Sequence, residues 1–405
     1  MAVIAPFRAL RPTPASAARV AAVPYDVVNA EEAQALAAGN PLSFLHVSRA
    51  EIDLPSDTNP YADAVYAKAV ENFAALKRQA PLVQEEEPSL YVYRLRMGNH
   101  VQTGIAGTFS IDEYDRDVIR KHERTRRDKE DDRTRHITEL RAQTGPVFLT
   151  YPGSAAVDAV VTQVTAGQPL FDFTAPDGIQ HTIWRAGAEA TQRIVGGFAA
   201  IPALYIADGH HRAASAARTR QAAFANASAG QAADYFLAVA FPDSQMQVLP
   251  YNRVVKDLNG RTPAAFLSEL RAAFAVVEGP AVPTRKGEVA MFLDGRWYTI
   301  PLGAAPAGLP AADALDVSRL QDLVLTPMLG IGDVRSDKRI DFVGGARGTG
   351  ELEKLVQSGR FAVAFSMYPV SVADLMQISD AGGIMPPKST WFEPKLRDGL
   401  LSHVI

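Results

Sequence analysis

One stretch near the middle of the chain constrains the fold more than any other. Pro202–Ala207 is an apolar run typical of a strand that is covered on both faces. The polar segment Asp208–Arg212 follows at once, and an alanine-rich stretch from Ala213 predicts a helix. Gly209 allows the sharp turn between the two elements. We therefore predict a buried strand, a tight turn and a helix N-terminus, a kind of corner at which α/β proteins place ligands.

The side chains of this corner favour an anion as the ligand. A helix N-terminus attracts negative charge, and Arg212 adds a planar fork of donors that suits phosphate. Asp208, His210 and His211 add a carboxylate and two imidazoles that can move a proton or bind a metal. Each residue alone has a simpler explanation, since Asp208 could cap the helix and Arg212 could form a surface ion pair. Together with Gly209 they predict a ligand site.

Composition limits the classes of function. The 405 residues carry a net charge of −4 and contain no cysteine, which excludes disulfides, thiolate catalysis and cysteine-based zinc sites. The acidic balance gives no general attraction to nucleic acid, and no segment has the continuous apolar length of a membrane span. We expect a cytoplasmic protein of two or three domains without a membrane or nucleic-acid partner.

A second unusual stretch covers residues 120–136, with eight Lys or Arg against five Asp or Glu. Such a run is usually a solvated helix face with ion pairs three or four residues apart. Its first residues, Lys121-His122-Glu123, closely follow the apolar pair Val118-Ile119 and could leave the end of a strand or helix. We interpret the stretch as a candidate phosphate and metal site, with the solvated helix as the alternative.

The rest of the chain alternates predicted strands and helices, which indicates a mixed α/β (α+β) fold. The predicted elements include a strand at Phe44–Val47, hairpins at Gly98-Asn99 and Asp177-Gly178, and a linker rich in Asn, Ser and Gly after the alanine-rich helix. Lys388 and Lys395 in the proline-rich tail could close over a charged ligand, or the tail could serve packing alone.

Motifs spread over nearly the whole chain resemble those of a bacterial family, the domain-of-unknown-function 1015 (DUF1015) family. They lie at residues 5–12, 24–28, 40–41, 121–125, 207–212 and 386–390. That family is similar in turn to free-serine kinases of the ParB/sulfiredoxin fold, through the Asp-Gly-His-His-Arg corner and the His-Glu pair. The resemblance implies an N-terminal α/β region (1–85), a ParB/sulfiredoxin-like nucleotide-binding catalytic core (86–256) and a C-terminal α/β domain (257–405).

The resemblance also implies roles for single residues. Glu123 would be the base toward the acceptor hydroxyl, with Glu130 or Asp26 as alternatives. Asp208 would belong to the active site, where it would hold Mg²⁺ or orient a histidine. The residues that would bind the donor and its phosphates are Lys121, His122, Arg124, Thr125, Arg126, Gly209, His210, His211 and Arg212.

We therefore expect transfer of a phosphoryl group from ATP, ADP or pyrophosphate to the hydroxyl of a small metabolite, with free L-serine as the first choice. Two other classes stay open. One is a ParB-like regulator that binds nucleotide and DNA, although the chain lacks a recognisable helix-turn-helix. The other is a metal-dependent phosphohydrolase in which His210 or His211 holds zinc or manganese. The sequence does not fix the oligomeric state, and a homodimer is one option.

Overall fold

The computed structural model describes residues 2–224 and 232–405. The chain forms two compact units, one of Met1–Met246 with Pro394–Ile405 and one of Gln247–Glu393. The last residues of the chain return to the first unit, and the three regions expected from the sequence remain a prediction. The predicted linker after the alanine-rich helix falls largely outside the described residues.

The strands are numbered in chain order. They are β1 (Ile4–Ala5), β2 (Leu10–Pro12), β3 (Leu82–Gln84), β4 (Tyr91–Met97), β5 (His100–Ser110), β6 (Ile119–Arg120), β7 (Ala142–Gln143), β8 (Val147–Tyr151), β9 (Phe171–Thr174), β10 (Gln180–Arg185), β11 (Leu204–Asp208), β12 (Tyr235–Pro242), β13 (Gln247–Leu249), β14 (Tyr251–Val255), β15 (Val277–Glu278), β16 (Glu288–Leu293), β17 (Arg296–Pro301), β18 (Ile340–Gly344), β19 (Val363–Met367), β20 (Trp391–Glu393) and β21 (His403–Val404).

The α-helices are numbered in the same way. They are α1 (Ala17–Val20), α2 (Ala30–Ala37), α3 (Leu45–Ser48), α4 (Asp63–Gln79), α5 (Ile111–Asp115), α6 (Arg127–Leu140), α7 (Ala155–Thr165), α8 (Ala188–Phe198), α9 (His210–Phe224), α10 (Pro263–Ala273), α11 (Asp316–Leu320), α12 (Gly348–Gln357) and α13 (Val372–Asp380). Short 3₁₀ turns lie at Ala50–Asp53, Ala232–Asp234, Asp243–Gln245 and Gly345–Arg347, and one π-helical turn lies at Gln321–Leu325.

The first unit is built on a large mixed sheet with the strand order β6-β11-β8-β12-β5-β4-β10-β9, and β1 pairs with β5. This architecture confirms the mixed α/β class. The predicted hairpins form as β4–β5 and β9–β10, with antiparallel pairing in both. Strand β11 pairs in parallel with β6 and antiparallel with β8. Strands β6 and β11 are far apart in sequence, but because they run in parallel, their C-terminal ends lie at the same end of the sheet.

Large apolar side chains explain why the sheet and its helices stay together. Phe109 and Phe236 on the sheet and Phe198 on α8 are fully buried in one cluster, which also includes Ala213 and Ala216 of α9. Alanines on that face of α9 allow the helix to lie close to the sheet, because their side chains take little space. A second cluster around α4 contains Phe44, Phe73 and Leu76.

The prediction of a strand at Phe44–Val47 is wrong, because this segment enters helix α3. A strand would place alternate residues on opposite faces. The helical turn instead buries Phe44, Leu45 and Val47 together, with exposed fractions of 0%, 2% and 1%. Phe44 meets Phe73 of α4 edge to face at 6.1 Å. So short an apolar run has no periodicity that could separate the two structures.

The second unit contains an antiparallel sheet with the order β15-β17-β16-β19-β14-β18 and a separate pair, β13–β20. Leu352 and Leu355 of α12 pack on Phe292 and Val254 of this sheet. Within the described part of the chain, no helix combines the length and the apolar character that crossing a membrane requires.

Gly104 provides a test of the packing between β5 and β12. A Cβ atom at Gly104 would lie 2.7 Å from the carbonyl oxygen of Ala240 and 2.8 Å from the ring of Phe241. We expect Gly104→Ala to lower the free energy of unfolding by about 1–3 kcal/mol, because a backbone oxygen cannot move aside without disturbing the strand pairing. Urea unfolding measures this change.

Gly196→Ala is the matched control, since Gly196 lies on α8 with open space around the added atom. There the substitution should leave the protein equally stable or stabilise it by about 0.5–1 kcal/mol. Equal stability of the two variants would contradict this account of the sheet.

Candidate functional site

The two unusual stretches of the sequence meet at one edge of the main sheet. Strands β6 and β11 run in parallel, with Ile119 opposite Leu204, so the residues that follow each strand emerge side by side. The backbone N–H of His122 donates to Nε2 of His210 at 3.4 Å. The backbone N–H of Arg126 donates to Nε2 of His211 at 3.0 Å. The segment Lys121–Arg126 therefore lies directly against the start of α9.

Gly209 and Arg212 form the centre of the corner. Gly209 has a φ of +92°, a left-handed conformation that strains any residue with a Cβ atom. An added Cβ would also lie 3.1 Å from Nε of Arg212, so the guanidinium is tucked against the turn. Arg212 donates to the carbonyl oxygen of Pro146 and lies 3.6 Å from the carboxylate of Asp26.

The charge of Arg212 is held in a buried setting. Burial by itself lowers its pKa, but Asp26 and Asp208 more than compensate, and the pKa stays above the ordinary value for arginine. Its Nε atom is buried without a hydrogen-bond partner. A fixed cation with one unpaired donor is suited to an anionic ligand.

Asp208 is paired with a lysine from the C-terminal tail. Its Oδ2 accepts a hydrogen bond from Nζ of Lys395 at 2.8 Å, and its Oδ1 accepts from the N–H of Gly209 at 2.8 Å. Burial favours the neutral acid, but Lys395 and Arg212 outweigh it and hold the pKa of Asp208 well below its ordinary value. Asp208 is therefore ionised and already paired with the Lys395 ammonium group.

A group of metal-binding side chains lies beside this pair. One donor atom from each of His122, Glu123 and His210 lies within 4.8 Å of the other two. His122 is 2% exposed, and its Nδ1 has no hydrogen-bond partner. Burial lowers the pKa of His122 to about 4, and burial together with His122 lowers the pKa of His210. Both rings are therefore neutral near pH 7, the form that binds a metal.

The other predicted phosphate-binding side chains turn to partners in their own neighbourhood. Nζ of Lys121 lies 2.7 Å from Asp117, and the guanidinium of Arg126 lies 2.7 Å from Asp128. Arg124 is exposed. Thr125 donates to Glu130. The structure brings the backbone of this segment to the corner, and the roles assigned to these side chains remain predictions.

Asp26 and Glu130, the two alternatives to Glu123 as the base, have different neighbours. Asp26 faces Arg212, whereas Glu130 binds Arg218 of α9 at 3.2 Å and accepts from Thr125. Asp26 follows Tyr25, which lines a cavity of about 190 Å³. The cavity has charges of both signs in its wall, from Glu51, Lys129, Asp132 and Arg133 among other residues. It can hold a small polar molecule next to the corner.

The structure adds two residues of the tail to the site. Lys395 was predicted only as one of two tail lysines that could close over a charged ligand. Asp398 is 2% exposed, and its Oδ1 has no hydrogen-bond partner. Burial raises the pKa of Asp398 to about 7, against the opposing effect of Arg212 and with a further rise from Asp26. No sequence motif placed Asp398 near the corner.

The comparisons with known proteins identify the family. A sequence model of the DUF1015 family, described as proteins of unknown function, matches residues 4–318. The chain belongs to the DUF1015 family. No curated protein matches the chain.

Among solved structures, the chain is similar to a free serine kinase in complex with AMP. The two are 12% identical, with 73% of this chain and 91% of the kinase covered and a TM-score of 0.35. A conserved hypothetical protein from Pyrococcus furiosus is 14% identical, with coverages of 74% and 94% and a TM-score of 0.33. C-terminally truncated SbnI from Staphylococcus aureus is 11% identical, with coverages of 72% and 85% and a TM-score of 0.38.

The buried His122 predicts a pH dependence of stability. In the unfolded chain its pKa returns to about 6.5, whereas the folded value is about 4, so the unfolded state binds the extra proton between these pH values. This contribution to stability is complete above about pH 6.5 and is lost as the pH falls toward 4. Between pH 7 and pH 5 the loss should be about 2 kcal/mol.

The variant His122→Gln should lose this contribution and show a correspondingly shallower pH dependence. Urea unfolding of both proteins at several pH values between 4 and 7.5 gives the comparison. Parallel curves for wild type and variant would show that His122 does not titrate as its burial requires.

Proposed function

We propose that the protein is a phosphotransferase that moves a phosphoryl group from ATP, ADP or pyrophosphate to the hydroxyl of a small metabolite, with free L-serine as the acceptor. We also propose that the first unit has a ParB/sulfiredoxin-like nucleotide-binding core. The observation that carries the proposal is the proximity of Glu123 to His210, which is the first residue of α9. A carboxylate thus lies beside the side chain of the first residue of the helix, and the buried Arg212 follows in the same turn.

The corner would bind the donor through its phosphates. The helix N-terminus and Arg212 favour negative charge, and the backbone of Gly209 can approach a phosphate closely because it has no side chain. Mg²⁺ would be held by Asp208, since Mg²⁺ prefers hard oxygen ligands, and it would neutralise charge on the transferring group. The cavity beside Tyr25 would hold the acceptor. Serine as the acceptor follows from the resemblance of the corner motif to free-serine kinases.

The reaction needs one proton acceptor and an in-line arrangement. Glu123 would take the proton of the acceptor hydroxyl, and the resulting oxygen would form a bond to the terminal phosphorus of the donor. The bond from that phosphorus to the bridging oxygen would break, and the leaving phosphate or nucleotide would keep the electron pair. Arg212 and the amides of the corner would stabilise the negative charge on the oxygens of the transferring group.

The direct test incubates the protein with L-serine, Mg²⁺ and each donor in turn. We expect O-phosphoserine with at least one donor, detected by mass spectrometry. Absence of the product with every donor, while a known kinase works in the same buffer, would remove serine phosphorylation as the function.

Glu123→Gln tests the proton acceptor. Removal of a general base should lower kcat by about 10²- to 10⁴-fold, with a smaller effect on donor affinity. Glu139→Gln is the matched control, since Glu139 is an exposed residue of α6 that lies 3.6 Å from Arg135. If Glu123→Gln keeps full activity, Asp26→Asn and Glu130→Gln become the variants to measure.

A second function is favoured by the group of His122, Glu123 and His210. Two neutral imidazoles and one carboxylate are typical ligands of Zn²⁺ or Mn²⁺, and a bound metal lowers the pKa of its water. The protein would then be a metal-dependent phosphohydrolase with Glu123 as a ligand. In that reaction the water oxygen bonds to phosphorus, and the alcohol leaves with its oxygen and a proton.

Metal analysis separates the two functions. After dialysis against Mn²⁺ or Zn²⁺, a phosphohydrolase should keep about one ion per chain and cleave p-nitrophenyl phosphate, and His122→Gln should lose both properties. A wild-type chain that retains no ion and cleaves no ester would exclude this second function.

A further inference from the structure

The C-terminal tail, residues Pro394–Ile405, belongs to the first unit and is held there by backbone hydrogen bonds. The backbone of Asp398 exchanges two hydrogen bonds with Ala22, at 2.9 and 3.2 Å, and Ser402 does the same with Leu10, at 2.9 and 3.0 Å. Strand β21 pairs with β7, and Arg397 binds Asp177. These contacts fix the tail without help from the side chain of Lys395. The tail therefore delivers the Lys395 ammonium group to Asp208 from a backbone that is already anchored.

Lys395 and Asp208 form an ion pair just before the start of α9, where the donor is proposed to bind. Lys395 is 8% exposed, and the Asp208 side chain is 29% exposed. The buried Lys395 ammonium cannot be left without a partner, because an unpaired buried charge is strongly destabilising. The partly buried Asp208 loses its directly bonded cation if Lys395 moves away. Any ligand that separates the two groups must supply a negative charge to Lys395 and a positive charge to Asp208 at the same time.

A metal-bound polyphosphate meets this condition. We propose that Lys395 is a phosphate-binding residue that leaves Asp208 when the donor binds, while the Mg²⁺ of the donor takes its place on the carboxylate. The exchange keeps both charged groups paired. It rests on the proposed phosphoryl transfer for its ligand, and it adds a residue from the tail, beyond the part of the chain that the family model matches.

The exchange explains features of the corner that a simple stabilising ion pair does not. Arg212 is a second cation near Asp208 and also lowers the pKa of that carboxylate, so Asp208 does not depend on Lys395 alone for a positive neighbour. The Nε of Arg212 has no hydrogen-bond partner. A phosphate bound here would accept a hydrogen bond from this Nε and would give Lys395 a counter-charge once it has left Asp208.

Two variants give opposite effects if the exchange occurs. Lys395→Met removes the phosphate ligand, so the affinity for Mg²⁺-pyrophosphate and for Mg²⁺-ADP should fall by about 10- to 100-fold. The same variant exposes Asp208 to metal, so Mn²⁺ alone should bind more tightly than to the wild type. Asp208→Asn releases Lys395, so pyrophosphate without metal should bind about tenfold more tightly. Isothermal titration calorimetry on the full chain measures all three.

Lys286→Met is the matched control. Lys286 also lies 2.8 Å from an aspartate, Asp374, and both belong to the second unit. This variant should bind every probe as the wild type does. Melting temperatures establish that each variant is folded, and Asp208→Asn decides the question by itself if Lys395→Met does not fold.

The outcomes separate this inference from the proposed function. Unchanged affinity for Mg²⁺-pyrophosphate in Lys395→Met, or no gain in Asp208→Asn, overturns the exchange even if the wild type forms phosphoserine. Opposite shifts in the two variants support the exchange even if no donor yields phosphoserine. A wild type that binds neither pyrophosphate nor nucleotide overturns both.

Discussion

The parallel pairing of β6 with β11 is the interaction on which the candidate site depends. Only Ile119 and Arg120 pair with Leu204 and Tyr205, yet this short ladder fixes where two distant segments leave the sheet. The parallel direction matters, because an antiparallel β6 would send Lys121–Arg126 to the opposite end. Ile119 and Leu204 belong to the same buried apolar cluster as Ala213 and Ala216 of α9. Fold and site are therefore set by the same few contacts.

The charged side chains of the corner also form an ordered arrangement. Cations and anions alternate from Asp26 through Arg212 and Asp208 to Lys395, so each of these charges has an opposite neighbour. The nearby histidines avoid the cost of burial by staying neutral. At Asp398 burial outweighs the opposing effect of Arg212 and raises the pKa to about 7. Such a set of groups can accept an anion or a metal with small movements of side chains.

Much of the local structure could be predicted, because local signals determine it. The apolar run before Asp208, the flexible Gly209 and the alanines after Arg212 indicate a strand, a turn and a helix, and the structure has all three. Asn29, a residue type that favours the N-cap position, forms a capping box with Glu32 at the start of α2. The prediction failed at Phe44–Val47, where the packing against α4 decided between two local structures that the sequence allowed equally. The site roles of Lys121, Arg124 and Arg126 stay predictions.

By itself, the sequence determined the chemistry that is available: an Asp-Gly-His-His-Arg turn at a helix N-terminus, a His-Glu pair, and no thiol. These follow from residue types and from spacing over a few positions. Only the tertiary structure decided which groups meet. It placed His122 and Glu123 beside His210, and it brought Lys395 to Asp208 from the far end of the chain. The physical reason is that strand pairing and burial of charge act between residues whose separation along the chain carries no information about their distance in space.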